Sequence, residues 1–393
     1  MDYRLLNQET LPQAMELWDA CFEKKGTPFY EWYFSSYCLK QNKVLGAFRD
    51  GRLAAMLHLN PYTLHVRGRD WRVPYIVGVA TDPLDRGRHL MGELMDKAFT
   101  MLRAMQIPFV ILMPIHAGIY QPYGFAYTHM RKRYELPLSS LSFGEAALAD
   151  YQLDRVPTLL AKDAIAPVYA EAMGRYHGYA VRGDREWENI LVTAQQDHME
   201  TVIVKDGSDI LGYVLYNREG ETVNVQELLS LSAPSRLCLL RYLRGFAGTY
   251  RTLRWLAEPD DLTYLRLADQ HEAPAVAPFM MGRVVSAALL LEQLPLPEAL
   301  AGEQLVLALR DDQVPLNTML VKLSFTEKGI RLLNTIDDPE VIMDIRAFTQ
   351  LVFGTVSTES LQRAGFVLTR DEGTARKLDL LFPVQINYIN EYF

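Results

Sequence analysis

The stretch from Val77 to Phe125 constrains the fold more than any other part of the chain. Val77-Gly78-Val79-Ala80-Thr81 reads as a strand, Asp82 to His89 as a turn containing Arg86-Gly87-Arg88, and the residues from Leu90 as a helix. Leu90, Leu94, Ala98 and Leu102 recur four apart, with Met91, Met95 and Phe99 beside them. One apolar stripe results, so the helix lies on a sheet. Phe109 to Met113 is an unbroken apolar run, as expected of a buried strand. This order specifies a mixed α/β layer. A turn that opens a helix presents backbone N–H groups to an anion, here with arginines at its mouth.

At 393 residues the chain exceeds one ordinary core, which predicts two or three domains. Hydrophobic content of 49% with 22% charged residues describes a globular protein. The net charge of −8 lacks the basic footprint of a nucleic-acid binder; it would attract cations, but it is also ordinary for solubility. No Gly-x-x-x-x-Gly-Lys pattern supports a different nucleotide-phosphate ligand. Cys21, Cys38 and Cys238 have no metal-binding spacing and read as reduced thiols of a cytoplasmic protein without a metal. The first residues lack a basic segment followed by an apolar run, so no signal peptide is expected. No apolar stretch approaches transmembrane length, so no membrane partner is expected.

Before the central stretch, Leu11 to Lys24 has helical periodicity, and Val44 to Asn60 reads as a hairpin turning at Asp50-Gly51. The aromatic run Phe29 to Phe34 suits packing or the wall of a substrate pocket. A second domain repeats the order of the first. Thr201–Lys205, Ile210–Asn217 and Thr222–Leu229 form a meander, Ser235–Tyr250 a helix, and Thr252–Ala257 a strand. It has no Arg-Gly-Arg turn, so this copy is expected to be degenerate and to bind no cofactor. A third region begins with a helix over Val284–Leu291. It continues with strands over Glu303–Arg310, Met319–Phe325 and Gly329–Asn334, and with a helix over Asp338–Gln350. The fold class is α+β, with boundaries placed at 1–135, 136–284 and 285–393.

The arginine turn resembles that of the GNAT acetyltransferases, whose pattern between strand and helix is Arg-x-x-Gly-x-Gly/Ala. Arg86 matches the arginine, while His89 and Met91 stand at the small positions. The resemblance implies acetyl-CoA as co-substrate. Backbone groups of Val79 and Thr81 would meet its pantetheine arm, and Arg86, Gly87, Arg88, His89, Leu90 and Met91 its pyrophosphate. The backbone donors need no glycine where the local φ is negative; with a side chain at His89, an altered loop shape is expected.

Ile119-Tyr120-Gln121-Pro122-Tyr123-Gly124-Phe125 follows one helix and one strand later. A tyrosine hydroxyl can protonate a leaving thiolate. Ile-Tyr-x-x-(aromatic)-Gly-(aromatic) at this place resembles the Eis-like branch (enhanced intracellular survival proteins). In that branch the tyrosine matching Tyr120 is the general acid and the α-carboxylate matching Phe393 is the general base. The branch joins two GNAT domains to a domain similar to sterol carrier proteins, assembles as homo-oligomers including hexamers, and acts on polyamine-like amines, aminoglycosides and lysine side chains. Phe22, Glu23 and Trp32 are candidates for a cation-accepting substrate wall. The alternative is a non-catalytic acetyl-CoA or lipid-binding sensor.

Overall fold

The computed structural model describes residues 1–142 and 151–392. Contacts divide the chain into two compact units. The first combines Met1–His129 with Phe279–Asn387 and the tail from Glu391; the second combines Met130–Pro278 with Tyr388–Asn390.

In the first unit, Asp2–Leu5, Lys43–Arg49, Arg52–Val66 and Arg69–Thr81 form successive antiparallel strands. Their tight turns need positive φ at both central positions. Asp50 and Gly51 adopt +52° and +81°, Arg67 and Gly68 +53° and +70°. The Arg69–Thr81 strand pairs in parallel with Phe109–Leu112, but only at Tyr75 and Ile76. Phe109–Leu112 in turn pairs antiparallel with the Met281–Val284 end of the Ala275–Val284 strand. One sheet face packs on the Leu90–Ala104 helix through Leu57, Leu59, Ile76, Leu94, Ala98 and Phe99. The other carries the Leu11–Cys21 helix and the aromatic segment, which is helical over Pro28–Trp32 and a π-helix over Tyr33–Tyr37.

The terminal part of this unit is a five-stranded sheet. Gln304–Arg310 pairs antiparallel with Met319–Thr326 and parallel with Val341–Asp344. The helix expected over Asp338–Gln350 is therefore replaced by a strand up to Asp344. Asp344 accepts from the Arg346 and Ala347 N–H groups, and this cap starts the helix at Ile345. The helix expected over Val284–Leu291 begins instead at Ala287. Two arginines, Arg67 buried and Arg103 half-buried, brace the terminal part against the first domain. Arg67 donates to the carbonyls of Leu351, Val352 and Pro383 at 2.6, 2.7 and 2.8 Å, and Arg103 to that of Val285 at 2.8 Å.

The second unit repeats the meander and crossover. Glu200–Asp206, Asp209–Glu219 and Thr222–Ser230 are antiparallel neighbours, and the Ala233–Arg244 helix leads to Thr252–Ala257. That strand is parallel to Thr222–Val225 and antiparallel to Lys132–Pro137.

Candidate active site

In the first unit the parallel strands part company. Beyond Ile76 the Arg69–Thr81 strand has no partner on its Phe109–Leu112 side among the described residues. A bulge lies at the same place, because the register with Arg52–Val66 slips between Met56–Ala80 and His58–Val77. Gly78 adopts φ +56° there, and a Cβ on it would stand 2.5 Å from Trp18 Cζ3. Only glycine fits this bend. The opening thus leaves the half-buried backbone of Val77, Gly78 and Val79 along one edge.

Thr81 leads into the arginine turn. Asp82 accepts from the Leu84 N–H at 2.9 Å, and Pro83–Asp85 is a single 3₁₀ turn. Asp85 is buried and ion-paired with Arg49 and Arg52 of the neighbouring hairpin, and lies 3.5 Å from Arg88. This anchoring leaves the Arg86 and Arg88 side chains exposed. Gly87 takes φ +77° and His89 φ +58°, ψ +19°. The condition of negative φ is therefore not met at His89. The chain enters the helix through a left-handed residue, and histidine occupies a conformation usually given to glycine. His89 places no side-chain cap on the helix. The backbone N–H groups of Gly87, Arg88, His89, Leu90 and Met91 have no acceptor among the described residues. Leu90 and Met91 turn their side chains into the core, so only their backbone faces the turn.

Tyr120 ends the short Ala117–Tyr120 helix, whose start is capped by His116 Nδ1 accepting from Gly118 N–H at 3.2 Å. Its ring is 7% exposed and packs on Phe125 and the Leu90–Ala104 helix. Burial raises its phenol above the ordinary tyrosine value, so it is a protonated donor at neutral pH. Gly124 closes the following turn at φ +82°; a Cβ would meet Ile345 at 2.9 Å. The Tyr123 carbonyl accepts from Arg283 Nε at 3.0 Å, and Arg283 Nη2 is buried against both carboxylate oxygens of Asp311, each at 2.9 Å. The terminal domain therefore holds the Tyr120 turn.

Of the substrate candidates, Phe22 packs on Trp18, 4.9 Å between ring centroids, and Trp18 covers the Gly78 bulge. Trp32 packs instead on Phe29 and Tyr37, and Glu23 is exposed. Phe393 lies outside the described residues. The residues just before it belong to this unit: Glu391 is buried, and the Tyr392 ring is 5.3 Å from that of Phe279. Tyr75, on the strand just before the opening, was not among the residues singled out from sequence; only its place in the strand pattern could have flagged it. Glu391, Tyr392 and Tyr120 all lie near enough to its phenol to add to the upward shift that burial imposes.

The second unit has the same parting of strands, since Thr222–Ser230 leaves Thr252–Ala257 beyond Val225. Here the chain's own tail stands in the opening. Asn390 Nδ2 donates to the Gln226 carbonyl at 3.0 Å and to Glu227 Oε1 at 2.8 Å. Arg131 donates to the carbonyls of Ala257 and Ile389 and to Asn390 Oδ1. Glu227 also receives both Arg182 nitrogens at 2.9 Å and the Tyr213 hydroxyl at 2.5 Å. Burial alone would raise this carboxyl, but Arg182, Tyr213 and Asn390 outweigh it and hold it below its ordinary value. The start of the Ala233–Arg244 helix is closed by Ser232, which accepts from Ser235 N–H at 3.2 Å.

Among the described residues no cluster of three or more His, Cys, Asp or Glu is placed to hold a metal, and no helix is long and apolar enough to cross a membrane.

Comparison with protein families matches residues 2–128 and 178–284 to acetyltransferase (GNAT) domains and residues 287–390 to a sterol carrier protein domain. No curated protein matches the sequence. Three solved structures are similar over the whole of both chains. A probable N-acyltransferase from Enterococcus faecalis is 20% identical with a TM-score of 0.88. A GCN5-related N-acetyltransferase from Anabaena variabilis is 20% identical with a TM-score of 0.83. Eis1 from Mycobacterium abscessus is 18% identical with a TM-score of 0.79. With two such domains, a strand opening that runs into an arginine turn, and a terminal sterol carrier protein domain, the chain belongs to the GNAT acetyltransferases and has the Eis-like architecture.

Proposed function

We propose that this protein moves acetyl from acetyl-CoA to a primary amine of the polyamine-like, aminoglycoside or lysine type, by direct attack in a ternary complex. The observation that carries the reading is the first-domain opening, bounded by the Gly78 bulge and served by Tyr120, a buried phenol held protonated. The unmatched N–H groups from Gly87 to Met91 and the exposed Arg86 and Arg88 suit a pyrophosphate. Val79 and Thr81 would bind the pantetheine arm, with the Val79 N–H on the thioester carbonyl. The amine nitrogen bonds to the thioester carbon, the carbon–sulfur bond breaks, and the thiolate takes the Tyr120 proton. The proton lost by nitrogen goes to a carboxylate of the C-terminal segment, assigned by resemblance to Phe393.

The second opening, filled by Asn390 and closed at its helix by Ser232, supports a single acetyl-CoA site in the first domain. Phe22, Glu23 and Trp32 remain the proposed amine wall, and a cytoplasmic homo-oligomer the proposed setting; light scattering after size exclusion checks the assembly. Release of free CoA thiol over a panel of spermidine, kanamycin and lysine derivatives tests the activity. Thiol release that depends on the amine is expected, and its absence across the panel overturns the reading. Extending the chain past Phe393 should abolish transfer; undiminished turnover removes the terminal carboxylate's role.

A further inference from the structure

One face of the first unit's sheet buries polar groups that its own chain leaves unmatched. Tyr75 is 1% exposed, and its hydroxyl has no hydrogen-bond partner among the described residues. Directly across the strand pair is Asn60, 0% exposed. Its Oδ1 accepts from Asn42 at 2.8 Å, but its Nδ2 has no acceptor. Two residues along on the same face, His58 pairs with Val77, and its ring packs on Trp18, whose Nε1 is also unmatched. Neighbouring groups on this face are matched. His58 Nδ1 meets the Tyr33 hydroxyl at 2.7 Å, and that hydroxyl accepts from Asn42 at 2.9 Å. The residues that carry unmatched atoms therefore lie within a few positions of the Gly78 bulge or pack against it, where the strand loses its partner.

Folded chains rarely leave buried polar atoms without partners, and such atoms call for a specific explanation. The surroundings point to a ligand nitrogen. The buried Glu391 carboxyl and the Tyr120 phenol both lie close enough to Tyr75 to act on its ionisation, and Tyr392 packs on Phe279 at the open end of the strands. Tyr75 faces away from the Leu90–Ala104 helix, since its neighbour Ile76 packs toward that helix. The group is thus on the side opposite the arginine turn's helix.

We propose that Tyr75 is a substrate-positioning residue, whose hydroxyl oxygen accepts a hydrogen bond from an N–H of the incoming amine, with Asn60 Nδ2 donating to a second polar atom of the same molecule. The inference rests on the transferase reading and adds a residue to it. An amine N–H taken out of water needs an acceptor. A phenol oxygen with no other partner provides one, and holds the nitrogen lone pair toward the thioester. The bond strengthens as nitrogen gains positive charge during attack, so it assists the transition state more than the bound substrate.

Tyr75→Phe tests this with two readouts. The variant removes only an unmatched hydroxyl, so the thermal midpoint of the free protein stays level or rises. Amine kcat/KM falls tenfold to a hundredfold, the scale of one charge-assisted hydrogen bond, while acetyl-CoA affinity by calorimetry is unchanged. A midpoint lowered by several degrees would show that the hydroxyl has a structural partner such as a buried water, and would overturn the proposal. Unchanged amine kinetics would overturn it too, while leaving the transferase reading standing. Wild-type protein that neither binds nor acetylates spermidine, kanamycin or a lysine derivative removes both.

Discussion

Replacing Asp311 by Asn is expected to destabilise the protein and to slow acetyl transfer together. Arg283 is 0% exposed, and burial pulls its guanidinium below the ordinary arginine value against the opposing pull of Asp311. Asp311 receives both Arg283 contacts, the N–H groups of Gln313 and Val314 at 3.1 and 3.0 Å, and Asn317 Nδ2 at 2.8 Å. An amide has one oxygen to offer these donors and turns its own NH₂ toward the rest. Arg283 then keeps a buried charge without a counter-charge, which costs about 3–5 kcal/mol. For a cooperative unit of this size each kcal/mol moves the midpoint roughly 2–4 °C, so Tm should fall by about 6–20 °C. Arg283 also holds the Tyr123 carbonyl, so kcat should drop below the stability midpoint as well. Differential scanning calorimetry and thiol-release kinetics measure both effects. Adding Arg283→Met to Asp311→Asn removes the unpaired charge while an amide oxygen stays beside the Gln313 and Val314 N–H groups, and should recover part of the stability. A single variant within about 1 kcal/mol of wild type, or a double variant no better than the single, would refute the reasoning.

His89→Gly should be neutral to about 1 kcal/mol stabilising, because glycine adopts φ +58° without the Cβ penalty. Urea midpoints check it, and a loss of stability would mean that the residue has negative φ in solution. Burial holds the His58 imidazole down at about 3, against about 6.5 in the unfolded chain. Its contribution is complete above pH 6.5 and is lost as pH falls toward 3, since the unfolded chain binds the proton first. Between pH 7 and pH 5 the unfolding free energy should drop by about 2 kcal/mol, and His58→Asn should flatten that slope. A flat wild-type profile contradicts the buried neutral imidazole.

The elements that were legible in the sequence are those set by local chemistry. The stripe from Leu90 to Leu102 gave the helix, and Asp50-Gly51 gave the tight turn of the first hairpin. The boundaries that failed depend on long-range pairing. Val341–Asp344 became a strand because Gln304–Arg310 lies beside it, and no local periodicity announces that. The site was half legible. Tyr120 and the arginine turn were visible as types and spacings. The conformation of His89 was not, because a left-handed residue other than glycine is chosen by the path of the chain and not by the residue. The expectation of a degenerate second domain rested on a missing arginine turn. The contacts that fill its opening, from Asn390, Glu227 and Arg182, are far apart in sequence and joined only by folding. Tyr75 was invisible for the same reason: an unmatched hydroxyl cannot be read without its neighbours.

Tyr120→Phe in single-turnover acetyl transfer tests the account most directly. The ring still fills its place against Phe125, so stability and acetyl-CoA affinity should match wild type. Only the proton for the leaving thiolate is lost, and the transfer rate should fall roughly 10²–10⁴-fold. A variant that binds acetyl-CoA normally and transfers acetyl to the amine at the wild-type rate would contradict the assignment of Tyr120 as the acid.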